Sequence, residues 1–162
     1  MYYFRDFDDS IGDIQIAGAE YSSLIKLCCL HSEYGSMTFT SQEQVRCFSS
    51  YLCIDNIELI NSAKGRRKYR GFFRCSPETE RFLLTHVNEF FQWVDFDGYC
   101  NPEDLTFYRK DGSVFFWSET HEGVCALLNR KEENVNSVIS NIGWKYHNPQ
   151  DCNVWGIPAF LM

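Results

Sequence analysis

Apolar residues recur along this chain with two different periods, and the switches between them mark out its elements. Tyr21, Leu24, Ile25 and Cys28 fall at helical spacing, with Leu27 and Leu30 widening the stripe and Gly35 expected to stop it. Ser41 followed three residues later by Gln44 forms a capping box ahead of Val45, Phe48 and Leu52, which predicts a second helix. Ser76-Pro77-Glu78 supplies a cap residue, a proline at the first helical position and an acid in the first turn. A third helix is expected behind it, with Leu83, Val87, Phe90 and Val94 on one face. Asn129 with Glu132 opens a fourth, whose face is Val135, Val138, Ile139 and Ile142 and whose stop is Gly143.

Between these segments the period drops to two. The opening stretch holds two short alternations, of which Asp13-Ile14-Gln15-Ile16 is the cleaner, and 37–40 reads as a short strand. Residues 57–61 and 69–75 flank a basic, glycine-centred turn and are expected to pair as an antiparallel hairpin. Asp111-Gly112 sits between strand-like runs at 105–109 and 113–118, a strong hairpin signal, and 124–128 completes a meander. Trp144, Tyr146, Trp155, Phe160 and Leu161 in the tail are expected to dock onto the sheet. Hairpins set beside separate helices, rather than strictly alternating with them, indicate an α+β fold. The expectation is a single globular domain over 1–162, an antiparallel sheet packed with about four helices.

Length and composition agree with one core. A chain of 162 residues with 14 Phe, nine Tyr and four Trp carries more apolar surface than disorder tolerates. Continuous apolar runs, such as 27–30 and 114–117, fall far short of the ~20 residues of a membrane span, and the amino terminus lacks the basic and apolar regions of an export signal. A cytoplasmic protein is expected, and the eight cysteines then read as reduced thiols, for which burial is the common fate. No Cys-x-x-Cys spacing occurs, so the strong zinc and redox patterns are missing.

Standard catalytic motifs are missing too. The chain has no glycine-rich phosphate loop, no Gly-x-Ser-x-Gly elbow and no His-Glu-x-x-His, so the usual nucleotide, hydrolase and zinc-protease readings lose their support. The acidic loop around Asp95, Asp97, Glu103 and Asp104 fails the calcium-loop spacing, because Cys100 falls where the glycine must stand. Neither a cofactor nor a metal is expected. One alternative catalytic set remains: His121, oriented by Glu119 or Glu122, with Cys125 as nucleophile or soft ligand. Alternation along a strand end argues that these side chains point in different directions.

The remaining candidate is electrostatic. Lys64, Arg66, Arg67, Lys68, Arg70 and Arg74 place six of 15 cations within eleven positions, leaving nine against 22 acids elsewhere. Tyr69, Phe72 and Phe73 interleave with them as in single-strand binders. Against that reading stand the formal charge of −7 and the role of charge in protecting hairpin tips from edge pairing. Nucleic acid is therefore disfavoured, and a protein partner is preferred.

The run from Pro102 through Arg109, followed by Trp117-Ser118-Glu119-Thr120-His121-Glu122, resembles a signature of small uncharacterised bacterial proteins labelled stage III sporulation protein AH. The segment 21–31, with its Cys28-Cys29 pair, is similar to their first helix. The resemblance implies a bacterial cytosolic protein of the kind encoded beside toxins as an immunity factor, and it brings no catalytic residues. The sequence thus points to a non-enzymatic binding protein, with a small enzyme built on His121, Glu122 and Cys125 as the rival.

Overall fold

The computed structural model describes residues 2–6, 15–61, 67–95, 100–141 and 143–147. Strand β1 (Tyr2–Asp6) is followed by helix α1 (Gly18–His31), β2 (Tyr34–Phe39), α2 (Gln42–Leu52), and the hairpin β3 (Asn56–Asn61) and β4 (Arg67–Arg74). Then come α3 (Pro77–His86), β5 (Glu103–Tyr108), β6 (Val114–Glu119), β7 (Val124–Leu127), the single-turn α4 (Asn136–Ile139) and β8 (Lys145–His147). The eight strands among the described residues join one sheet in the order β3-β4-β2-β5-β6-β7-β1-β8, and each of their pairings is antiparallel. The fold is α+β.

Local signals set the helix starts. Ser41 Oγ accepts the Gln44 N–H at 3.1 Å while Gln44 Oε1 accepts the Thr40 N–H at 2.9 Å, and Ser76 Oγ accepts the Thr79 N–H at 3.2 Å. The hairpin between β5 and β6 turns at Gly112, whose φ of +81° suits glycine, while Asp111 Oδ1 accepts the Ser113 N–H.

Strand alternation divides the sheet into two unlike faces. Met37, Phe39, Phe73, Leu105, Phe107, Phe116, Cys125 and Leu127 point to one side and are buried against α1, α2 and α3. The Tyr21 hydroxyl ties this layer together: it donates to the Leu83 carbonyl at 2.6 Å and accepts from Trp93 Nε1 at 3.1 Å. Arg5, buried beside Cys125 on the same side, is neutralised by Glu20 of α1, whose carboxylate also accepts the Trp144 indole N–H at 3.1 Å. Among the described residues no helix covers the opposite face, and none is long and apolar enough to cross a membrane.

Several expectations need correction. Gly35 does not stop α1, which ends at His31; it lies inside β2, where a Cβ would stand 2.4 Å from the Phe73 ring, so glycine is there to admit that ring. Leu30 is 75% exposed rather than part of the buried stripe. Helix α3 ends at His86, and Val87 and Phe90 reach the core through an extended turn and a short 3-10 segment (90–92) held to the chain near Ile16 by the Phe90 N–H to Ile16 carbonyl bond. Asn129 and Glu132 start no helix: only Asn136–Ile139 is helical, although Val135 and Val138 are buried as expected. Ile16 is buried, with Ala17 bridging Glu89, whereas the rest of the alternation at Asp13 and Ile14 lies outside the described residues. The tail docks through Trp144 and β8; Ile142, Trp155, Phe160 and Leu161 lie outside the described residues.

Candidate functional site

The helix-free face of the sheet carries a groove of about 460 Å³ across β4, β2, β5 and β6. Arg70 and Phe72 rise from β4, Thr38 from β2, Thr106 and Tyr108 from β5, and Trp117 and Glu119 from β6. Phe72, Tyr108 and Trp117 are all half-buried, and the Phe72 and Tyr108 rings lie 6.2 Å apart. Its walls are therefore aromatic planes on a polar floor of Thr38 and Thr106.

Two irregularities create this arrangement. Between β2 and β5 the register runs from Ser36↔Thr106 to Thr38↔Glu103, so β5 holds one residue more than its partner. That bulge contains Asp104 at φ +57°, a left-handed conformation that Asp tolerates. The bulge re-aims Asp104 at the 3-10 turn 120–122: its N–H donates to Thr120 Oγ1 at 3.0 Å, and its Oδ1 accepts the Thr120 N–H at 3.2 Å. A second shift, from Phe107↔Phe116 to Tyr108↔Val114, lets Phe115 and Phe116 both point inward and turns Trp117 out into the groove.

His121 sits on that turn in a bank of carboxylates. Its Nδ1 is 3.6 Å from Asp104 Oδ1, and its Nε2 is 3.6 Å from Glu119 Oε1 and 3.5 Å from Glu122 Oε1. The interaction with Asp104 raises the imidazole above its ordinary range against the opposing effect of partial burial. Glu119 is raised as well, chiefly by burial and then by Asp104 and Glu122, with His121 pulling the other way. Glu103, Asp104 and His121 bring one potential ligand atom each within 4.8 Å of one another. The Lys68 ammonium lies 2.8 Å from Glu103 Oε2 and supplies positive charge at that spot.

Each residue singled out from the sequence has a definite place. Lys64 and Arg66 lie outside the described residues. The other four cations split by alternation: Lys68, Arg70 and Arg74 face the groove side, and exposed Arg67 faces the helix side. Lys68 pairs with Glu103, Arg74 lies over the Tyr34 ring at 5.3 Å, and Arg70 stands opposite Glu58 in register. His121 and Glu122 stay together at the groove end, but Cys125 does not join them. Cys125 is fully buried beneath the helices, opposite Arg5 and Ser118 in register, and burial pushes its thiol far above the ordinary range. A histidine and thiol working as one catalytic unit are not brought within reach of each other.

Trp117, Tyr108 and Glu119 were not singled out as a group by the sequence reading. A parity count through 114–119 misplaces Trp117 because the irregularity at Phe115 and Phe116 resets it. A large aromatic followed two residues later by an acid on the same strand was the available signal. Comparison with family models, with curated proteins and with solved structures finds no match.

Proposed function

We propose that this chain is a cytosolic, non-enzymatic binding protein that receives a basic segment of a protein partner on its helix-free sheet face, in the manner of an immunity factor neutralising its target. The observation that carries the reading is the juxtaposition, on the face that no described helix covers, of three aromatic walls with a bank of four carboxylates, Glu103, Asp104, Glu119 and Glu122. An arginine side chain suits such a groove best, since its planar guanidinium stacks on aromatic rings and takes carboxylates in bidentate fashion. The formal charge of −7 favours encounter with a basic partner.

A rival ligand is a nucleic acid held by Lys68, Arg70 and Arg74. Two of these cations already face Glu103 and the Tyr34 ring, and carboxylates line the same groove, which weighs against a polyanion. Amide and indole NMR shifts on adding an oligo-arginine peptide, an oligo-glutamate peptide or a single-stranded oligonucleotide distinguish these readings. The reading expects saturable shifts at Trp117, Tyr108 and Glu119 with the arginine peptide alone. Shifts produced only by the oligonucleotide, or mapping to the helix side, overturn it.

A further inference from the structure

We infer that Cys29 and Cys75 form a dithiol modification site, closed reversibly to a disulfide by a low-molecular-weight disulfide such as oxidised glutathione. Cys29 lies near the end of α1, and Cys75 lies between the end of β4 and the Ser76 cap of α3. The two side chains lie near enough to influence each other although 46 positions separate them in sequence, Cys75 being the strongest influence on the Cys29 thiol. They also line one groove of about 840 Å³ between α1 and α3.

Access separates this pair from the other described cysteines. Cys28 and Cys125 are fully buried, and burial is the main force pushing both thiols up, so they are held neutral and out of reach of reagents. Cys29 and Cys75 are half-buried, each open to the groove. Lys26 and Arg81 line its walls with Glu80, giving the carboxylates of a glutathione-type reagent two cations to meet. Cys47, Cys53 and Cys100 are exposed and lie outside this groove, which makes them internal controls for simple adduct formation.

The chemistry balances in two exchanges. Both sulfurs open onto the groove and either can make the first attack, Cys75 serving as the example. Cys75, having lost its proton, attacks one sulfur of the small disulfide, forming a mixed disulfide and expelling one thiolate. Cys29 then loses its proton, and its sulfur displaces the second thiolate to leave the Cys29–Cys75 bond. The protein gives up two electrons and two protons; the reagent's sulfur–sulfur bond is reduced to two thiols.

The test uses the full chain, fully reduced and then exposed to oxidised glutathione under native conditions. After blocking residual thiols, cleavage behind Lys26, Arg46, Arg74 and Arg81 releases peptides 27–46 and 75–81 for mass mapping. The expected product is one cross-linked pair, lighter by two hydrogen masses than the reduced peptides and assigned to Cys29 over Cys28 by fragmentation. Reductant should restore both free peptides. Cys29→Ser should arrest the sequence at a glutathione adduct on Cys75. Adducts on Cys47, Cys53 and Cys100 with Cys29 and Cys75 left as free thiols, or a bridge between any other two cysteines, would overturn the assignment. Because the parent chain alone decides the main outcome, a variant that misfolds does not obscure the result.

Discussion

Lys68 Nζ reaches Glu103 Oε2 at 2.8 Å across the intervening strand β2, passing over Thr38, whose register partners are Arg70 on β4 and Glu103 on β5. This pair links the basic strand to the carboxylate bank and fixes which charges remain available to a partner. Glu103 is the more deeply placed member, at 8% side-chain exposure against 29% for Lys68. Removing the lysine therefore strands a nearly buried carboxylate. Lys68→Met should lower unfolding free energy by about 1–3 kcal/mol, between the values typical of exposed and buried pairs. Chemical denaturation of the two single variants and the double variant with Glu103→Gln measures this. A coupling energy near zero would show that the contact contributes nothing.

Gly35 has a sharper steric role. Fully buried Phe73 lies where a Cβ would be placed, 2.4 Å away, so Gly35→Ala must displace an aromatic ring in the core. Overpacking of this kind costs about 1–3 kcal/mol. Gly35→Ala should be destabilised by that amount in thermal or urea unfolding, and adding Phe73→Leu should recover part of the loss. A neutral Gly35→Ala would mean that β2 yields more readily than its pairing on both sides implies.

Acid sensitivity should centre on Glu133. Burial acts against its charge, yet the Arg109 guanidinium, at 2.6 and 2.7 Å, and the Arg130 N–H outweigh burial and hold the carboxyl below its ordinary value. A carboxyl lowered on folding adds stability above its unfolded pKa of about 4.3, and that stability disappears as pH falls through the lower folded value. Unfolding free energy measured from neutral pH down should therefore decline in that window. Glu133→Gln should be less stable at neutral pH and show a flatter acid limb.

His121 gives pH dependence of the opposite sign for folding and ligand binding. Because Asp104 raises it, its stabilising pair is complete below about pH 6.5 and weakens as pH rises through the higher folded value. The protonated ring also repels an incoming guanidinium. Affinity for an oligo-arginine peptide should thus increase as pH rises through the His121 titration, while the parent loses a little stability. His121→Gln should flatten both curves. Affinity that falls with pH over the same interval would contradict the placement of the cation beside this ring.

Much of the architecture is readable from local chemistry. The caps at Ser41 and Ser76 and the Asp111-Gly112 turn depend on short-range hydrogen bonds and appear where the spacing places them. Long-range effects account for the rest. Gly35 looks like a helix stop until Phe73 arrives from a strand nearly forty positions away. The Asp104 bulge and the inward turn of both Phe115 and Phe116 arise from strand registers that no single segment specifies, and these two irregularities build the groove. Hence His121 and Glu122 can be picked out from the sequence, whereas their association with Trp117 and Tyr108, and the distance from Cys125, depend on the assembled sheet.

The central claim is that the aromatic walls and carboxylates of the helix-free face act together on a basic side chain. Isothermal titration of an oligo-arginine peptide into the parent, Trp117→Leu, Asp104→Asn and Glu119→Gln tests it most directly, with circular dichroism confirming that each variant is folded. Each substitution should weaken binding about tenfold, equivalent to about 1.4 kcal/mol, with Trp117→Leu and Asp104→Asn showing coupled rather than independent losses. Folded variants that bind as tightly as the parent would contradict the account and place the protein's interaction surface elsewhere.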